Sequence, residues 1–246
     1  MAKHYFHVEG LSLGFLAATV GVSYLLSSAA SVWMVIHGFR HKTYAMPPAG
    51  LMALLSVCLI CVFGPFSDQS HLFYYRGQTT LLITWGLDAL LVGIVFAQYV
   101  TYGGRQAHRD GQLALFHLLV WSTFTVVGYG IWSFIIFYQD YYVNEICPIA
   151  LFIVAAGYVR AAMADPQWRG LSLGVAWLLG LSNVLLFGAV VAGNMSDPYP
   201  EAEYGYGFIY WLYAVTLILN FVYVYQATVQ RRGARLAAPA VVRGSL

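Results

Sequence analysis

Asp88 stands in the middle of TTLLITWGLDALLVGIVFAQYV, residues 79–100, a run that otherwise carries no charge. Taking a carboxylate out of water disfavours its charged form, so this side chain is expected to be a neutral acid that gives up a proton or donates a hydrogen bond. The competing reading is structural: the carboxyl bonds a neighbouring helix and acts as glue. Intramembrane acids are costly and usually have a use, which favours the first reading. Other polar groups reach a similar depth if their stretches are helices. At about 1.5 Å per residue, Asp88 lies roughly 14 Å from one end of its run and Cys58 roughly 15 Å from the opposite end of its own. Asn220 lies roughly 18 Å along the last run, and Asn183 about as far along the run before it. One layer would then hold an acid, two amides and a thiol among apolar walls. The chain is also rich in aromatic side chains, with 19 Tyr, 15 Phe and 7 Trp. Trp85, Trp177, Trp211 and Tyr223 fall at mid-depth. Their faces carry negative quadrupole charge, which suits a large apolar ligand or a carbocation; helix packing and interfacial belts are the alternative.

The elements that must position these residues follow from composition. Of the 246 residues 60% are hydrophobic and 9% charged, and mean hydropathy is +0.69. A soluble domain carries about 25% charged residues, so the expected fold is an all-α integral membrane protein. Seven apolar runs are long enough to cross a bilayer, near 11–37, 48–66, 79–103, 114–138, 147–164, 171–193 and 206–229. The chain divides into a seven-helix transmembrane domain over 1–230 and a basic tail over 231–246 that frays. The first run reads as a permanent span, since no basic segment precedes it and no clean cleavage site follows. GLSLG occurs at 10–14 and 170–174, but five residues do not make a repeat, and small residues for close helix packing explain both.

Ten of the twelve basic residues fall on one side of this layout: Arg40, Lys42, Arg105, Arg109, Arg160, Arg169, Arg231, Arg232, Arg235 and Arg243. Lys3 and Arg76 fall on the other, with Glu9, Asp68, Asp140, Glu145, Asp197, Glu201 and Glu203. The excess of Lys and Arg on the cytoplasmic side then sets the N-terminus outside and the C-terminus inside. The membrane is the bacterial plasma membrane, or the endoplasmic reticulum for a fungal source. A net charge of +2 is too small to suggest nucleic acid. Cys58 and Cys61 have redox spacing, yet they sit one turn apart in an apolar run and read better as small buried hydrophobes. A retinal pigment needs a lysine deep in the last helix, and Lys3 and Lys42 are the only lysines. A pump or transporter would show more intramembrane charge, broken spans or repeats.

Three stretches carry a likeness to a known family. RHKTYAMPPAGLMAL at 40–54 is similar to a Thr-Tyr-x-Met segment leading into a second helix. TWGLDALL at 84–91 is similar to a Trp-x-x-Leu-Asp segment. The stretch from Cys147 through WRGLSLGVAW at 168–177 is similar to an Arg-Gly-x-Ser segment followed by a Trp. In these motifs and in layout the chain resembles the transmembrane terpene cyclases of meroterpenoid biosynthesis, of the paxilline and pyripyropene type. The resemblance implies that a linear polyprenyl chain, often epoxidised and attached to an arene, is protonated and cyclised through a carbocation cascade. No cofactor is expected for that chemistry. The family's catalytic Glu in the second helix falls on Cys58 here. Its Asp followed three residues later by Tyr falls on Asn220 and Tyr223, and its Arg in the sixth helix has no counterpart after Trp177. Neither an amide nor a thiol is a good acid for an epoxide.

Asp88 is therefore the expected proton donor, with Glu145 at the cavity rim and Asn220 in the place of the second acid. Trp85, Cys58, Trp177, Asn183, Trp211 and Tyr223 would shape the pocket. If the substrate is instead a prenyl diphosphate that ionises, Asp140, Asp197, Glu201 and Glu203 could bind Mg²⁺, although their spacing is that of a solvated loop. The inner-side arginines could then hold the diphosphate, and topology explains them equally well. The partners expected are an apolar isoprenoid and the lipid bilayer. A non-catalytic isoprenoid carrier and a small transporter are the alternatives. The charge layout predicts that in right-side-out vesicles a protease removes a tag placed before Met1 and spares one placed after Leu246; the reverse pattern would invert the topology.

Overall fold

Leu13–His41, the first long apolar run, is a single helix, α1, and every other described run is helical too. A computed structural model describes residues 13–63, 79–138, 146–164, 170, 172–194 and 203–237. The helices are α1 (Leu13–His41), α2 (Pro48–Phe63), α3 (Thr79–Gln98), α4 (Leu113–Tyr138), α5 (Ile146–Ala164), α6 (Leu173–Asn194) and α7 (Glu203–Ala237). α3 runs on through a π-turn at Tyr99–Gly103 into a last α segment, Gly104–Arg109. Hydrocarbon offers no partner for backbone N–H and C=O groups, and helices satisfy them internally. Six of these helices are long and apolar enough to cross a membrane; the described part of α2 has 16 residues. Leu25, Ile36 and Phe39 on α1, Leu90 on α3, Leu118 and Phe137 on α4 and Tyr225 on α7 point outward. Apolar surface on that scale suits lipid and not water.

The pairings close a ring. α1 lies between α3 and α6, α6 meets α7, α7 meets α5, α5 meets α2, and α2 returns to α3. α4 stands outside the ring against α2 and the end of α3. Interhelical hydrogen bonds fix the directions. Trp33 meets Ser172 and Ser23 meets Ser182, so α1 and α6 are antiparallel. Ser28 meets Asp88 and Val35 meets Gln98, so α1 and α3 run together. The C-terminal ends of α1, α3, α5 and α7 thus share one end of the bundle. Arg40, Lys42, Arg105, Arg109 and Arg160 lie there, and we call it the basic end.

The basic half is tightly joined. Tyr158 of α5 stacks on Tyr223 of α7, centroids 4.5 Å apart and planes 16° apart. The Tyr158 hydroxyl donates to the Ala45 carbonyl at 2.6 Å, in the loop between α1 and α2. The Tyr223 hydroxyl accepts from the Ser172 amide at 3.2 Å and approaches its carbonyl at 3.3 Å. Trp33 donates its indole N–H to the Ser172 hydroxyl at 3.1 Å. Between α1 and α6, each of Ser23 and Ser182 donates its hydroxyl to the other's carbonyl at 2.9 Å. Interhelical bonds of this kind replace the hydrophobic effect as glue where the surrounding solvent is lipid.

Two glycines set the spacing of α2 and α5. A Cβ at Gly50 would lie 2.7 Å from the Val154 Cα, and one at Gly157 would lie 2.9 Å from the Pro47 Cβ. No side chain fits at Gly50 without moving backbone. Overpacking of this kind costs about 1–3 kcal/mol. Gly50→Ala is expected to lower the melting temperature of the purified protein by several degrees. Gly130→Ala, on α4 with open space around it, should leave it unchanged or raise it. Equal behaviour of the two variants would remove the close crossing.

Candidate functional site

Asp88 lies on α3 about three turns before the π-turn, partly buried on the face turned to α1. The Ser28 hydroxyl donates to its Oδ1 at 3.2 Å, and this is the carboxyl group's one hydrogen bond among the described residues. No Lys or Arg of the described residues pairs with it. One turn toward the far end, Trp85 meets Tyr24 of α1 edge to face, with centroids 6.5 Å apart and planes at 70°. Trp85 and Asp88 are three apart on α3, and Tyr24 and Ser28 four apart on α1, so both pairs present one helix face to the other.

The other helices converge on the same place. Cys58 and Cys61 of α2 are buried, and Cys58 is within electrostatic reach of Asp88. Tyr24 is within reach of Asp88, Cys58, Cys61 and Cys147, the last on α5. Tyr213 of α7 is within reach of Cys147 and Tyr24. The layer therefore collects side chains from α1, α2, α3, α5 and α7. The three cysteines form no disulfide. Among the described residues no three His, Cys, Asp or Glu side chains gather to hold a metal ion.

Toward the basic end from Tyr213, α7 continues the inward stripe with Thr216 and Asn220. Asn220 lies about 10 Å along the axis from Tyr213. Thr216 is 1% exposed and Asn220 2% exposed, yet Thr216 Oγ1 and Asn220 Nδ2 have no hydrogen-bond partner among the described residues. Ser56 Oγ on α2 is in the same position. Buried polar atoms are normally paired. The Tyr223 hydroxyl, by contrast, is bonded to Ser172 and the Tyr158 hydroxyl to the Ala45 carbonyl. Gln98 Oε1 and Gln226 Oε1, nearer the basic end, are unpaired too among the described residues, so the interior keeps polar capacity that the fold does not consume.

The residues expected from sequence separate into groups. Asp88, Cys58 and Trp85 come together. Asn183 is buried on α6 beside Ser182, and Asn220 is buried on α7. Tyr223 is buried in the basic-end network, bonded to Ser172 and stacked on Tyr158. Trp177 is 47% exposed and Trp211 56% exposed, so neither turns into the bundle. The inward stripe of α6 runs through Val175, Ala176, Leu179, Ser182 and Asn183, and that of α7 through Ile209, Leu212, Tyr213, Thr216 and Asn220. At 100° per residue the two tryptophans fall on the outer side of these stripes. Glu145, Asp140, Asp197 and Glu201 lie outside the described residues. Tyr24, Ser28, Tyr213 and Thr216 had not been singled out. Their signal was available as polar groups at three- and four-residue spacing within apolar runs.

These features define a helical bundle with the character of a multi-pass membrane protein and an acid in its interior. Comparison with protein-family models, with curated proteins and with solved structures finds no match.

The unpaired atoms and the paired ones should respond differently to removal. Thr216→Val deletes a polar atom the fold does not use, so the melting temperature is expected to stay or rise. Tyr223→Phe strips Ser172 of its partner and is expected to cost about 1–3 kcal/mol. A Thr216→Val variant as damaged as Tyr223→Phe would show that Thr216 is structural.

Proposed function

We propose that this chain is a membrane-embedded terpene cyclase that crosses the bilayer seven times, with its N-terminus outside. The observation that carries the reading is Asp88: an interior acid with a single hydroxyl partner, beside the Tyr24 and Trp85 rings, in a motif that resembles the cyclases' Trp-x-x-Leu-Asp. The crossing by α2 supports the span count. α1 ends at the basic end and α3 begins at the other, so the chain between them must traverse the bundle.

In this reading Asp88 acts as a neutral acid and Ser28 orients it. The proton passes to the terminal epoxide oxygen, or to a terminal alkene carbon, of a linear polyprenyl substrate. In the epoxide case the C–O bond breaks and leaves a hydroxyl and a tertiary cation. Neighbouring double bonds attack in turn, each forming a carbon–carbon bond and passing the charge on. Loss of one proton from the last cation forms an alkene, so one proton enters and one leaves. The faces of Trp85 and Tyr24 lower the energy of the cations, and Thr216, Asn220 and Cys58 supply polar contacts along the wall. No metal takes part when the diphosphate stays in place or is absent.

A second reading has a specific observation behind it. Cys58 and Asn220 stand where the resembled family has its two acids, which fits a non-catalytic protein that binds or carries an isoprenoid lipid.

The test incubates the detergent-purified protein with a terminal-epoxide prenyl arene, farnesyl diphosphate and geranylgeranyl diphosphate, with and without Mg²⁺, and reads products by mass spectrometry. A cyclic product from the epoxide without metal is expected. Asp88→Asn should lower its rate by roughly a hundredfold or more while the melting temperature holds. A folded and fully active Asp88→Asn variant would remove Asp88 from the mechanism. Stoichiometric binding with the substrate recovered unchanged would favour the carrier.

A further inference from the structure

A second feature lies at the basic end, far from Asp88. A recess of about 770 Å³ opens between the end of α1, the end of α3 and the start of α4. Lys42, Arg105 and Arg109 line it with His108 and His117, and Thr101 and Tyr102 add hydroxyls. Among the described residues no carboxylate lines it. The nearest in sequence, Asp110, accepts from Gln106 Nε2 at 3.2 Å, while the Gln106 carbonyl oxygen accepts from Arg109. None of the three cations pairs with a carboxylate among the described residues. Arg105 lies over the Tyr102 ring at 5.7 Å, which holds its guanidinium at the recess wall.

The cytoplasmic bias of basic residues accounts for charge at this end of the bundle, but not for its convergence. Two local departures from regular backbone produce that. The π-turn at Tyr99–Gly103 inserts one residue into α3 and so turns everything after it by about 100°. Arg105, His108 and Arg109 thereby face the same space as Lys42 and His117. Lys42 itself adopts φ +51°, a left-handed conformation that ends α1 and is uncommon for lysine. Like charges held together without a counter-ion destabilise a fold unless something negative joins them. Guanidinium groups match phosphate oxygens in bidentate geometry, and basic pockets between helices at the membrane surface suit lipid head groups.

We infer that this recess is a binding site for a phosphate group presented at the membrane surface, with Arg105 and Arg109 as the bidentate donors and Lys42 as the third cation. The phosphate is carried by an anionic lipid head group or by a free phosphate compound; the chemistry recognised is the same. The inference does not depend on the cyclase reading.

The test uses the full-length protein in neutral detergent and native mass spectrometry with phosphatidic acid, phosphatidylcholine and inorganic diphosphate as probes. Phosphatidic acid is expected to bind in preference to phosphatidylcholine, whose choline offsets the phosphate charge. The double variant Arg105→Gln, Arg109→Gln should weaken that binding tenfold or more. Arg160→Gln, which removes a cation from the same end but outside the recess, should not. Lys42→Asn keeps a residue that accepts the left-handed backbone and should weaken binding to a smaller degree, which covers the case in which the double variant fails to fold. Displacement of the lipid by millimolar diphosphate would identify free phosphate compounds as ligands. Persistence of the lipid would identify a head group anchored in its leaflet. No preference for phosphatidic acid together with no diphosphate binding would overturn the site. So would equal weakening by Arg160→Gln, because the effect would then belong to surface charge in general.

Discussion

The stacked pair Tyr158 and Tyr223 is the interaction on which the rest of the bundle depends. Both rings are fully buried, so each hydroxyl must find a partner inside the bundle. Those partners include loop groups at Ala45 and Ser172, beside the Met34 sulfur of α1. One stack therefore sets the positions of α5 and α7 and of the two connections that lead into α2 and α6. Trp33 extends the arrangement to α1 through the same serine. Loops at a membrane surface are usually the adaptable part of a fold; here two of them are held from inside.

Around Asp88 side chains meet across five helices, and elsewhere in the interior several polar atoms have no partner among the described residues. Ser56, Thr216 and Asn220 would each be cheaper as an apolar residue if stability alone mattered. Gln98 Oε1 and Gln226 Oε1 at the basic end are unpaired as well, so polar capacity without partners runs along the interior of the bundle.

The helices were legible in the sequence because crossing length and apolarity are composition-level properties. Pro48 as the first residue of α2 was legible for a similar reason, since a missing N–H costs nothing there. The side chains facing the interior were less so. Trp177 and Trp211 sit at the right depth and on the wrong side, because depth is set by position along a helix and facing by neighbours that the sequence does not list. In lipid both faces of a helix are apolar, so the pattern that separates core from surface in a soluble helix is nearly lost. The family-like motifs divide in the same way. Thr43-Tyr44-Ala45-Met46 and Ser172 form the joints of the basic end, with Tyr44 packed edge to face on Tyr99 at 4.9 Å. TWGLDALL and Cys147, the first residue of the third stretch, reach the layer of Asp88. The π-turn in α3 left no mark that sequence reading could have used.

The ring closes between α1 and α6, and this has a consequence for how the chain is made. Ser23 and Ser182 are 159 positions apart, and Trp33 and Ser172 are 139 apart. At about 5–20 residues per second a ribosome takes roughly 8–30 s to travel from one serine to the other. For that time α1 waits in the bilayer with Ser23 and Trp33 lacking their final partners, while α2 to α5 arrive. Until α3 arrives to pair with it, its own residues must hold it in the membrane, which the apolar stretch from Ala18 to His41 is long enough to do. The α1–α6 contact thus waits for synthesis of the sixth helix and the complete ring for the seventh, and a ribosome that stalls before Ser182 leaves an open ring.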